Sequence, residues 1–130
     1  MSNFRKQHMK IKWNNLINVE SDEIAKNASL AEKSALVGRV GLIMLSVGAG
    51  AFRVRAAMNK ISRSLDITCQ ADIGLLSINY TCIYKSQALT NSLSISTTGV
   101  NTDRLYHIRY FIDEFEQNST KYSIKHFFKI

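Results

Sequence analysis

The sequence predicts an α+β fold, a two-layer sandwich in which an antiparallel meander of about three strands packs on about three helices. Three observations lead there. Apolar residues recur at steps of three and four along two adjoining segments near the middle of the chain and one near its end, the spacing of a helix with one buried face. Between them, Ile78, Tyr80, Cys82 and Tyr84 alternate with other residues, the period of a half-buried strand. Helices grouped on either side of a run of strands suit one sheet face covered by helices. With 130 residues and 45% of them hydrophobic, the chain has enough apolar material for one core.

Residues 1 to about 20 mix Lys, Asn and His without a firm period, and only Met9, Ile11, Trp13 and Leu16 offer weak packing. They read as a basic arm. Ser21, Asp22 and Glu23 provide an N-cap and first-turn acids, so a helix is expected to start there or at Ser29. The first helical stripe takes in Leu30, Leu36, Val40, Ile43, Met44 and Val47. Its charges, Glu32, Lys33 and Arg39, fall mainly in the first half, and the second half is expected to sink into the core. Gly48 and Gly50 then break the pattern, as a turn between helices requires. Phe52, Val54, Ala57, Met58, Ile61 and Leu65 form the second stripe. Arg53, Arg55, Lys60 and Arg63 give it a basic face, and Asp66 ends it.

Three β-rich runs follow, Ile67 to Asp72, Leu75 to Tyr84 and Ser92 to Thr97. Ala71, Asp72 and Gly74 mark the first link, and Lys85 to Asn91 the second. A loop from Thr98 to Asp103 precedes a third helix over about 103–117, with Leu105, Ile108, Ile112 and Phe115 on one side. Its end falls at Gln117 to Thr120. The expected organisation is a basic arm with a short helix at 1–29, one domain at 30–117, and an aromatic, basic tail at 118–130.

The stretch from Val40 to Phe52 is uncharged, but a helix needs about 20 apolar residues to cross a bilayer. It is expected to be buried core. No apolar run follows the basic N-terminus, so no secretory signal is expected, and the Asn27, Asn79 and Asn118 triplets are chance matches to a glycosylation pattern. Cys69 and Cys82 lack a CxxC spacing and a nearby His, which argues against a zinc site or a disulfide framework and fits a reducing cytosol. His8, His107 and His126 are far apart and take no role.

No motif of a hydrolase, a nucleotide-binding loop or a metalloprotease occurs. Asp113, Glu114 and Glu116 read as a solvated helix face. No enzymatic activity, metal or cofactor is expected. Gly48, Ala49 and Gly50 lie between two helices rather than after a strand, a poor setting for a phosphate cradle. Arg53 just behind them could hold a carboxylate or phosphate, or pair with Asp103 or Glu114. The net charge of +7 points to an acidic neighbour, whether nucleic acid, anionic lipid or protein, yet it also serves solubility alone.

Gly38-Arg39, then Gly48-Ala49-Gly50-Ala51-Phe52-Arg53-Val54, then Met58, Ile61 and Leu65 form a pattern that resembles the N-terminal domain of the threonine/serine exporter family. The run from Ser96 to Leu105 is similar to that family's strand-to-helix junction. The resemblance covers about residues 30–117. It implies a cytoplasmic domain that in the family precedes a multi-helix membrane region exporting small amino acids. This chain would then be the soluble domain or a split subunit of such an exporter, docking on or regulating a membrane partner and not transporting alone. The implied partners are a membrane-embedded exporter subunit, or a C-terminal membrane region, and a small amino-acid ligand. The implied location is cytoplasmic, at the inner face of the plasma membrane.

The positions that carry over are Gly48, Ala49, Phe52 and Arg53, as a structural or docking motif. Gly50 and Arg55 stand where the family commonly has acids, so any role of those acids is absent. An independent basic nucleic-acid-binding module is the alternative. Such a module wants aromatic residues interleaved with Lys and Arg, and Tyr80 and Tyr84 have only Lys85 beside them.

Overall fold

The computed structural model describes residues 24–96, 99, 101–123 and 127. The expected N-terminal arm and the Ser21 to Glu23 cap lie outside them, as do Thr97, Thr98, Val100, His126 and Phe128. After a single tight helical turn at Ala25–Asn27, the element order is α1 (Leu30–Ser46), α2 (Ala51–Ser64), β1 (Thr68–Ile73), β2 (Ser77–Tyr84), β3 (Gln87–Ser94) and α3 (Thr102–Asn118). The strands form one antiparallel sheet in the order β1-β2-β3. This is the α+β meander-on-helices expected.

Helix α1 starts where Ser29 supplies a capping box. Its hydroxyl accepts from the Glu32 amide at 3.2 Å, and the Glu32 carboxylate accepts from the Ser29 amide at 3.1 Å. The helix is more central than its charge pattern implied. Burial begins at Lys33 rather than in the second half, because α2, β2, β3 and α3 surround the helix. Lys33 itself is only 5% exposed. Its ammonium donates to the Leu65 carbonyl at the end of α2 over 2.7 Å and sits 5.5 Å from the Tyr84 ring.

Val54, Ala57, Met58, Ile61 and Leu65 of the second stripe are buried, but Phe52 is 80% exposed. The reason lies in the helical count. Positions on the stripe of Val54 fall three or four residues away, and Phe52 is two away, on another side of the helix. The burial expected from Val40 to Phe52 therefore ends at Ala49. Asp66 stops α2 in a left-handed conformation at φ 60°, which a short polar side chain tolerates.

The third strand differs from expectation. It begins at Gln87, not Ser92, and Lys85 and Ser86 alone make the link, with Lys85 at φ 54°. Ile78, Tyr80 and Cys82 point inward with Leu89 and Leu93 opposite Cys82 and Ile78, and the outer face is polar, with Thr81 joined to Thr90 and Ser92 to Asn79. Tyr84, expected on the buried face, is 38% exposed.

Helix α3 is capped by Asn101, whose side chain accepts from the Arg104 amide at 3.0 Å. It buries Ile108, Ile112 and Phe115, on which Phe127 stacks edge-on at 4.6 Å between ring centres. The Tyr122 and Ser119 carbonyls accept from the amides of Ala25 and Lys26, so the chain just before α1 is fastened to the turn after α3.

Candidate functional site

Gly48 and Ala49 close α1 by a specific hydrogen-bond pattern. The Ala49 amide donates to the Met44 carbonyl at 3.0 Å and the Gly48 amide to Leu45 at 3.2 Å, with Gly48 at φ 88°. That is a Schellman cap, and its left-handed residue is a glycine because a Cβ there is strained. The carbonyls still open at the end of α1 are used as well. Ser46 accepts from the Gly99 amide and Val47 from the Asn101 amide at 3.2 Å. The turn at 48–50 and the loop leading into α3 therefore lie together, and the two stretches that carried the family resemblance form one end of the domain.

From this end α2 departs with Phe52 and Arg53 in its first turn. Gly50 supplies no side-chain cap, and no acid stands in that turn. Phe52, Arg53, Ala56, Ala57 and Lys60 of α2 form one wall of a groove of about 230 Å3, with Met44 of α1 and Arg109, Ile112 and Asp113 of α3 completing it. Lys60 and Asp113 bridge the walls with an ion pair at 2.9 Å. No ion pair joins Arg53 to Asp103 or Glu114, and Arg53 is exposed. Among the described residues the groove thus has an apolar floor, three cationic residues in Arg53, Lys60 and Arg109, and one acid, Asp113, paired with Lys60. Such a lining suits a ligand that is both apolar and negatively charged.

The four carried-over residues divide by role. Gly48 and Ala49 build the turn and are structural, whereas Phe52 and Arg53 face the groove. Gly38, also part of the resemblance, is a close-approach site. A Cβ there would stand 2.8 Å from Leu93 Cδ1 and 2.9 Å from Tyr80 Cζ. Beside it Arg39 is held below the usual guanidinium range by burial and then by the neighbouring Arg104.

Reading the sequence missed Lys60, Arg109, Ile112 and Asp113 as partners of Phe52 and Arg53. The helical period places Arg109 and Asp113 on one side of α3, four residues apart, but not the helix they face. Tyr106 and Tyr110, on the same helix, are 70% and 62% exposed. Tyr80, weighed as a base-stacking candidate, is fully buried, and His107 lies exposed as expected.

Among known families, the model described as threonine/serine exporter, ThrE, matches residues 35–129. Comparison with curated proteins and with solved structures gave no match. The match runs from Ala35, within α1, through α3, and includes the 48–54 turn. The chain belongs to the threonine/serine exporter family.

Proposed function

We propose that this chain is the soluble part of a small amino-acid exporter, a domain or split subunit that docks on and regulates a membrane-embedded partner and does not transport by itself. Membership of the exporter family supplies the transport context. Among the described residues no helix is long and apolar enough to cross a membrane, so a transport path is expected from another polypeptide or from a further region of the same protein.

The observation that carries the docking role is Phe52, 80% exposed beside Arg53 at the mouth of the basic groove. Aromatic residues, Phe among them, and Arg are both enriched in the buried core of protein interfaces. The excess of cations over Asp113 selects the occupant, an acidic amphipathic segment on the cytoplasmic side of the membrane partner. The chain would then sit at the inner face of the plasma membrane.

The test is co-expression with a membrane-spanning product of the adjacent reading frame, followed by affinity capture in mild detergent. The partner is expected to co-elute. Substituting Phe52→Ala together with Arg53→Ala is expected to lower its recovery by about tenfold or more, as loss of a hot spot does. An unchanged recovery with the double variant removes the groove from the interface. Retention of the chain on random-sequence DNA, falling steeply with salt, would favour the nucleic-acid module instead.

A further inference from the structure

Cys69 and Cys82 are direct partners across β1 and β2, and both thiols are free and buried. Which kind of pair they form follows from the hairpin that joins the strands. The Gly74 amide donates to the Ser77 carbonyl at 2.7 Å, so that pair is hydrogen-bonded. Pair types alternate along an antiparallel ladder. Counting back through the register Ile73↔Ile78, Asp72↔Asn79, Ala71↔Tyr80 and Gln70↔Thr81 makes Cys69↔Cys82 a non-hydrogen-bonded pair. The other side of β2 agrees. The Ile95 amide donates to the Leu76 carbonyl, which makes Cys82↔Leu89 hydrogen-bonded, as a residue facing away from its β1 partner must be.

Non-hydrogen-bonded partners bring their Cα atoms to about 4.5 Å, against about 5.5 Å for the other kind. A disulfide spans Cα separations of about 4.4 to 6.8 Å. The two cysteines therefore stand within the bridgeable range, at its short end. We propose that Cys69 and Cys82 are a redox modification site, a dithiol that closes reversibly to a cross-strand disulfide by exchange with small-molecule disulfides.

The first step is attack of the Cys69 thiolate on one sulfur of the small disulfide. A Cys69 mixed disulfide forms and one small thiolate leaves. The Cys82 sulfur, losing its proton to solvent, then attacks Cys69, forming the Cys69–Cys82 bond and expelling the second small thiolate. Two protein thiols are oxidised and one disulfide is reduced to two thiols. The division of roles follows from the surroundings. The neighbouring Cys82 holds the Cys69 thiol below the ordinary range against the opposing effect of burial, with a smaller contribution from Ser62. The same proximity, with burial, pushes Cys82 up. Cys69, 9% exposed on the outer strand β1, is the more accessible of the two, and Cys82 is fully buried. The site lies under α2, the helix whose other side carries Phe52 and Arg53, and Ser62 of that helix is the neighbour of Cys69. Oxidation would fasten the edge strand beneath the helix that forms the groove.

The chain has only two cysteines, and no Lys or Arg lies between residues 64 and 84, so both fall in one tryptic peptide, 64–85. The full chain is incubated with oxidised glutathione at neutral to mildly alkaline pH, quenched with acid, and assayed for free thiols and by peptide mass. The expected result is loss of both thiols together, a 64–85 peptide lighter by two hydrogens on a monomeric chain, and full recovery with dithiothreitol. The Cys82→Ala variant, which lacks the resolving thiol, is expected to form no intramolecular disulfide and to carry at most a glutathione adduct on Cys69. Thiols that react only after unfolding in urea, a glutathione adduct retained on either wild-type cysteine, or a disulfide-linked dimer would each overturn the proposal. The unmodified chain decides the matter even if the variant does not fold. The outcome is independent of partner capture.

Discussion

Tyr80 ties the sheet to the central helix with one hydroxyl. It donates to the Ser34 carbonyl at 2.7 Å while Asn91 donates to Ser34 Oγ at 3.1 Å and reaches the Tyr80 oxygen at 3.4 Å, so α1, β2 and β3 meet in one buried polar cluster. Burial raises the Tyr80 phenol well above its usual range, the Ser34 and Asn91 side chains opposing it in part. The folded chain then keeps this proton at a pH where the unfolded chain, with its phenol near 10, has released it. Above about pH 10 the unfolded state binds fewer protons, so stability is full below that value and falls as pH climbs past it. Lys33 works in the opposite sense. Burial lowers its value, with Asp66 resisting and Lys26 adding, so folding is favoured as pH approaches the free-lysine value of about 10.5. Lys33 is present in both proteins, so comparing the wild type with Tyr80→Phe isolates the phenol. The variant is expected to lose about 1 kcal/mol at neutral pH, the net worth of one hydrogen bond. Its urea midpoint should fall less than that of the wild type between pH 9 and 11.

At the scale of elements, the turn between α1 and α2 is the feature whose chemistry is most constrained. Gly48 at φ 88° closes the Schellman cap, and the last carbonyls of α1 beside it accept from the amides of Gly99 and Asn101. Gly48→Ala places a Cβ in the left-handed region and is expected to cost about 1 to 2 kcal/mol, measured as a lowered urea midpoint. The third strand shows why its limits were not legible. Ala88 and Asn91 are depleted in strands, Gln87, Ser92 and Ser94 are not among the favoured types, and the alternation that marks a strand is interrupted at Asn91, an inward position filled by a polar side chain. That side chain is tolerated because Ser34 and Tyr80 accept its hydrogens, and both belong to other elements. Phe52 failed differently. Its apolar character suggested burial, whereas its helical phase, also visible in the sequence, pointed elsewhere, and phase decided the outcome.

For the whole molecule, the uncharged stretch around residues 40–52 is wrapped by β2, β3, α2 and α3 up to Ala49, and its exposed remainder belongs to the groove. Expressed without a companion, the chain is expected in the supernatant after an alkaline carbonate wash of membranes. Recovery in the washed pellet as an integral protein would refute the docking reading. The sequence by itself determined the order of helices and strands, Ser29 as one of two candidate starts of the first helix, the loop before the last helix, the turn at Gly48 and the family resemblance. Each depends on neighbours within a few residues or on a repeating period, and these act before the chain is compact. Only the tertiary structure decided that Arg109 and Asp113 face Phe52 and Arg53, that Lys33 is buried, that Tyr80 serves the core, and that Cys69 meets Cys82. Those outcomes depend on which element packs on which and in what register, and a local pattern leaves both open, because burial is a property of the pair of surfaces and not of either one.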